Sequence, residues 1–150
     1  MRIGVIGIRS KHLRFFQEAL ARCYPGSEHT ITHVCGFDAP ELLPRLGALI
    51  RCDTPHQLIA AVDAVIIALR EGTQHAALAK LCLEAGKPVF VDKPFTCDSG
   101  EAQALFDAAR RTGTPCTGGS TVCFTEKARQ LKAELPRCEE YSISYMADPL

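Results

Sequence analysis

The sequence carries no excess of charge of either sign. Its 150 residues hold seventeen Lys and Arg against seventeen Asp and Glu, a formal net charge of zero. That excludes the basic surface with which nucleic-acid binders displace counterions. It leaves neither a polybasic membrane anchor nor an acidic tail. No stretch reaches the roughly 18–20 apolar residues that cross a bilayer. The start, Met1 to Arg9, has only a short apolar run, broken by glycines and soon charged, unlike a secretory signal. Eight cysteines are present, yet no two form a C-x-x-C pair and none stands with histidine at zinc-finger spacing, so no metal is expected. Several lie inside apolar runs, where cysteine behaves as a small hydrophobe. These absences predict a cytoplasmic protein with free thiols. Long linkers, low-complexity tracts and internal repeats are missing as well.

What is present is an ordinary globular composition, 47% hydrophobic and 23% charged. At this length folding buries roughly 68–70% of the unfolded chain's surface, enough for one core. Short apolar runs alternate with longer amphipathic segments. Arg2–Gly7, Thr30–Phe37, Leu49–Cys52, Ala64–Ala68, Pro88–Val91 and Thr114–Gly118 read as strands. Between them, Lys11–Arg22 has Leu13, Phe16, Ala19 and Leu20 at helical spacing. Pro40–Gly47 holds only a short helix, because Pro44 interrupts it. Thr54 caps a helix with Pro55 at its first position. Further helices run from about Gln74 to Glu84, stopped by Gly86, and from a cap at Asp98 or Ser99 to Gly113. Another covers Thr125–Leu135. Ala64–Ala68 is apolar on both faces, which fits the centre of a parallel sheet. The rhythm predicts an α/β fold, a Rossmann-like doubly wound and mostly parallel sheet with right-handed crossovers.

The end of the chain differs. Glu139–Met146 places Tyr141, Ile143 and Tyr145 on one face and Ser142 and Ser144 on the other, a half-buried strand. Either it pairs with the main sheet, pairs between chains, or belongs to a larger protein.

In an open α/β sheet, ligands bind beyond the carboxyl ends of the strands. The first exit is Gly7-Ile8-Arg9-Ser10-Lys11-His12. It stands where a dinucleotide fold has G-x-G-x-x-G, and only the first glycine is there. Arg9 and His12 replace the second and third. The helix N-terminus still offers N–H donors to an anion, and Arg9, Ser10 and Lys11 add charge and hydrogen bonds. An ordinary β-to-α turn with solvated charges fits these six residues equally. The second exit ends at Asp38, whose carboxylate has the chemistry to accept adenosine ribose hydroxyls and to repel a 2′-phosphate. It is equally placed to cap the helix at Pro40. The third exit is Ala68-Leu69-Arg70, followed by His75 in a first helical turn. The fourth is Asp92-Lys93-Pro94. Cys97, just beyond it, reads as a buried structural thiol near that turn.

The run Ala85-Gly86-Lys87-Pro88-Val89-Phe90-Val91-Asp92-Lys93-Pro94 resembles the A-G-K-x-V-x-x-E-K-P motif of the Gfo/Idh/MocA oxidoreductases, with Asp92 for glutamate. Asp63-Ala64-Val65-Ile66-Ile67-Ala68 and His75 are similar to that family's D-A-V-I-I-A-T-P-N…H. The resemblance covers about residues 2–146. It implies hydride transfer between NAD, or NADP, and an alcohol or carbonyl of a sugar- or cyclitol-like, polyhydroxylated substrate. It implies that Lys93 assists catalysis and that the Lys93–Pro94 bond is cis. The cofactor-binding residues it implies are Gly7, Ile8, Arg9, Ser10, Lys11, His12, Asp38, Ala68, Leu69, Arg70, His75, Asp92, Lys93 and Pro94. A homo-oligomer is compatible with it. The departures are the glycine turn, Leu69-Arg70-Glu71 for T-P-N, and Cys123 where the family's G-F-N-x-R-F has arginine. Family members are also much longer, and the resemblance implies a dinucleotide-binding Rossmann domain over 1–122 and, over 123–150, the helix and first strand of a second, α+β substrate or oligomerisation domain. A catalytically incomplete sensor or interaction module on the same fold is therefore the alternative.

Overall fold

The computed structural model describes residues 1–9, 11–120 and 126–134. Six strands, β1 (Arg2–Ile6), β2 (Thr30–Cys35), β3 (Ile50–Arg51), β4 (Ala64–Ile67), β5 (Val89–Val91) and β6 (Cys116–Gly118), form one sheet in the order β3-β2-β1-β4-β5-β6. Every pairing is parallel. Four helices join them: α1 (His12–Cys23), α2 (Pro55–Ala61), α3 (His75–Glu84) and α4 (Ser99–Thr112). The order reverses between β1 and β4, the switch point at which such sheets bind ligands.

Local chemistry sets most boundaries. The Thr54 side chain accepts from the Gln57 N–H at 3.2 Å, and the Asp98 carboxylate accepts from the Glu101 N–H at 2.9 Å. Each supplies an acceptor to an N–H that has no partner within its helix. α4 stops at Gly113, in the left-handed conformation that glycine adopts without a Cβ clash. Pro44 allows only a 3-10 helix, Pro40–Arg45.

All six strands are one or two residues shorter than the sequence predicts. β2 ends at Cys35 rather than Phe37, because the Ala39 N–H donates back to the Gly36 carbonyl at 3.0 Å and closes a turn. β3 keeps only two residues.

Alternation along the strands sorts the core into two clusters, one on each face of the sheet. Ile6, Val65, Ile67, Val89 and Val91 pack with Leu58, Leu78, Leu83 and Leu105 of α2, α3 and α4. Ile3, Val5, Ile31 and Val34 pack with Leu13 of α1. β1 and β4 are central, as the apolar run at Ala64–Ala68 requires. Ile6 pairs with Cys35 and Ile67, Ile67 with Val91, and Val91 with Gly118. The strand ends are therefore in register, and the residues that follow them emerge along one edge.

The chain divides into two compact units, Met1–Gly119 and Ser120–Leu150. Of the second, helix α5 (Glu126–Glu134) is described, and it buries none of its described side chains. The strand expected at 139–146 lies outside the described residues. No described helix is long and apolar enough to cross a membrane.

Candidate dinucleotide site

Gly7 starts the site. Its φ of +95° is open to glycine, and a Cβ there would stand 2.6 Å from the Leu69 nitrogen and 2.8 Å from the Ala68 carbonyl carbon. The turn after β1 thus lies directly against the backbone leaving β4. The Gly7 N–H donates to the Cys35 carbonyl at 3.0 Å, and the Ala68 N–H to the Ile6 carbonyl at 2.8 Å. Three strand exits are joined by backbone alone. Burial pushes the Cys35 thiol up to about 11, which keeps it protonated under this turn.

The side chains at the first exit separate by direction. Ile8 is buried in the α1-side cluster and presents its backbone. The Ile8 N–H donates to the Asp38 carboxylate at 3.0 Å to Oδ1 and 3.3 Å to Oδ2, and the Arg9 N–H donates to Oδ2 at 3.1 Å. In return the Arg9 guanidinium donates to the Asp38 carbonyl, from Nε at 3.0 Å and from its terminal nitrogen at 2.6 Å. Arg9 also stands 3.6 Å from Glu41 in an exposed pair. Ser10 lies outside the described residues. Lys11 precedes α1 without a side-chain cap, and the first turn of α1 holds no acid. Its N-terminus carries the positive potential that favours an anion.

His12 opens α1, and its Nδ1 meets the carboxylate of Asp92, a residue only 3% exposed at the end of β5. Asp92 is anchored by its own N–H, which donates to the Ile67 carbonyl at 2.9 Å. Lys93 follows, exposed. The Lys93–Pro94 bond is cis. The Pro94 carbonyl meets Nδ1 of His75 at 2.7 Å, and the Leu69 carbonyl meets Nε2 of the same ring at 3.1 Å.

His75, expected as a cofactor contact, stands inside the protein as a brace between two strand exits. It is 0% exposed, with both ring nitrogens directed at backbone carbonyls of two strand exits. Ala68 and Leu69 are also buried, 0% and 3% exposed. Cys97 differs from expectation the other way. It is exposed rather than buried.

Between the first, second and third exits lies a cleft of about 600 Å³, lined by Arg9, Phe37, Asp38, Leu69, Arg70, Glu71 and Gln74. Its size falls within the roughly 300–1,000 Å³ of small-molecule sites. The sequence reading brought Arg9, Asp38, Leu69 and Arg70 to this place. It missed Phe37, Glu71 and Gln74, which stand in the turns beyond the strand ends. Following each exit through its turn to the next helix would have found them.

A parallel sheet with a switch point, a tight glycine turn after β1 and a helix opening behind it define a dinucleotide-binding α/β protein. A family model described as an oxidoreductase family with an NAD-binding Rossmann fold matches residues 1–120, and the chain belongs to this Gfo/Idh/MocA family.

The chain is 36% identical over 116 residues to UDP-N-acetylglucosamine 3-dehydrogenase of Acidithiobacillus ferrooxidans, covering 73% of this chain and 34% of the relative. It is 26% identical over 140 residues to myo-inositol 2-dehydrogenase of Thermotoga maritima, covering 88% of this chain and 40% of the relative. The solved structure of the Acidithiobacillus ferrooxidans enzyme superposes with a TM-score of 0.71 at 27% identity, over 89% of this chain and 41% of that one. The chain thus spans between a third and two fifths of the length of these curated relatives. Residues 1–120 are an NAD-binding Rossmann domain of oxidoreductase type.

Proposed function

We propose that the chain binds NAD or NADP across the carboxyl ends of β1 and β4 and presents Lys93 to the reacting end of the cofactor. The substrate class would be a sugar- or cyclitol-like alcohol or its carbonyl. The observation that carries this reading is the Asp92-Lys93-Pro94 turn, which holds an exposed ammonium one strand away from the switch point. The names of the relatives supply the substrate class. Residues 123–150 would then begin a second domain that completes the pocket.

The residues fit the cofactor. The N–H groups opening α1 and the side chain of Lys11 would meet the pyrophosphate. The cleft lined by Arg9, Phe37, Asp38 and Arg70 would take the adenosine half. The cofactor, when bound, accepts or donates a hydride at its nicotinamide ring. Lys93 would then hold the substrate oxygen. Its ammonium would stabilise the negative charge that grows on that oxygen as water takes up the hydroxyl proton, or polarise a carbonyl in the reverse direction. Such a charge acts most strongly where the partner domain excludes water.

Titration of the chain with NADH and NADPH, followed by nicotinamide fluorescence, tests the reading. Saturable binding of at least one is expected, with Lys93→Met changing the affinity by less than about threefold, because an interaction made at the reacting oxygen is not a ground-state contact with the cofactor. Gly7→Val should abolish binding. Absence of saturation by either cofactor at millimolar concentration would reject the proposal.

A further inference from the structure

Asp38 meets the turn after β1 in an unusual way for a residue expected to take a ribose. Its carboxylate already accepts three contacts, one Ile8 N–H shared between both oxygens and the Arg9 N–H on Oδ2. An ionised carboxylate has about four lone-pair positions, and both of its oxygens already serve the turn. Its backbone carbonyl is committed too, to two nitrogens of Arg9. One of the two residues it grips is a substitution: Arg9 occupies the place of the second glycine of the fingerprint. Glycines let such a turn adopt its shape without a side-chain penalty. Here a carboxylate and a guanidinium hold the turn instead.

We propose that Asp38 is a positioning residue: it fixes the β1–α1 turn through the Ile8 and Arg9 N–H groups, and it acts on dinucleotide binding through that turn rather than chiefly through the adenosine ribose. Charge-assisted bonds to backbone N–H groups are the stronger kind, which suits this task. Arg9 closes the arrangement from outside, its guanidinium lying across the Asp38 carbonyl. The pair replaces conformational freedom with hydrogen bonding. The inference rests on the dinucleotide reading for its effect on affinity, and on geometry alone for its effect on the free chain.

Two measurements test it. In the free chain, amide hydrogen exchange by NMR should show Ile8 and Arg9 protected by at least about tenfold over unstructured rates, with the protection lost in Asp38→Ala and partly kept in Asp38→Asn, which retains one acceptor oxygen. Unprotected amides in the native chain would overturn the proposal whether or not a cofactor binds. In the second arm, Asp38→Ala should weaken NADH binding by about tenfold or more, a loss in keeping with removal of charged hydrogen bonds. The same loss, within about threefold, is expected for NADH analogues carrying 2′-deoxy- or 3′-deoxyadenosine, since non-interacting groups contribute independently. A loss that vanishes with the deoxy analogues would assign Asp38 to the ribose and overturn the proposal. If the native chain binds none of these cofactors, the dinucleotide reading fails, and the exchange measurement still decides the role of Asp38 in the turn.

Discussion

His12 and Asp92, eighty residues apart in sequence, join the first turn of α1 to the end of β5. β4 lies between their strands, so the pair spans the exit of the sheet's centre. Asp92 is buried, whereas the His12 side chain keeps 29% of its exposure. The residue on the far side of Lys93 is tied as well, since the Pro94 carbonyl meets His75 of α3. Two histidines from two helices thus brace the residues on either side of Lys93.

His12→Ala removes the hydrogen-bond partner of a buried carboxylate. The chain should lose about 1–3 kcal/mol of unfolding free energy, the cost of leaving such a group unsatisfied. Asp92→Asn in the same background should recover part of that loss, because a neutral amide is cheaper to bury than a charge. Urea unfolding of the three chains near neutral pH checks both statements. Equal stability of His12→Ala and the native chain would show that the pair contributes nothing.

His75→Ala should cost more, roughly 2–4 kcal/mol, since it empties a fully buried site and leaves a backbone carbonyl without its donor. The exits of β4 and β5 should loosen together. The readout is proteolysis: cleavage by trypsin after exposed Arg70, at the exit of β4, should quicken more than cleavage after Arg110 or Arg111 at the end of α4. Uniform acceleration at all sites would point to global destabilisation alone.

Alkaline pH should destabilise the fold through its buried thiols. Burial pushes Cys82 from the ordinary 9.0 up to about 12, and Cys35 up to about 11. Below pH 9 both are protonated folded or unfolded, and their full contribution is present. Above it the unfolded chain releases its protons first, so the folded state binds more protons and stability falls as pH rises toward 11 and 12. Each thiol contributes a slope of up to about 1.4 kcal/mol per pH unit in that window. Cys82→Ala should be less stable at pH 7 yet decline less steeply between pH 9 and 11. The same burial orders reactivity: of the six described cysteines, exposed Cys23 and Cys97 should react with a disulfide reagent well before Cys35 and Cys82.

Much of the architecture was legible because its causes are local. Thr54 followed by Pro55, Asp98 three residues before Glu101, and Gly113 after an amphipathic run each specify a helix end through neighbours in sequence. The double-sided apolar run of β4 announced a central strand, and it is one. The strand exits that carry Gly7, Asp38, Ala68 and Asp92 could therefore be ranked as site candidates before any coordinates. The length of β2 was misjudged for the opposite reason. Val34-Cys35-Gly36-Phe37 is apolar throughout, and only the hydrogen bond closing on Ala39 shows where the strand gives way to a turn.

The sequence by itself determined the alternating order of strands and helices, the parallel sheet that follows from it, and the Lys93–Pro94 motif at a strand exit. These depend on periodicity, capping and turn chemistry, which act over a few residues. Only the tertiary structure decided what each exposed-looking polar residue does. Asp38 faces the Ile8 and Arg9 amides, His75 is sealed between two carbonyls, and His12 finds Asp92. Each of these partners is brought into reach by sheet register and helix packing, and hydrogen bonds select among groups within about 3 Å whatever their separation along the chain.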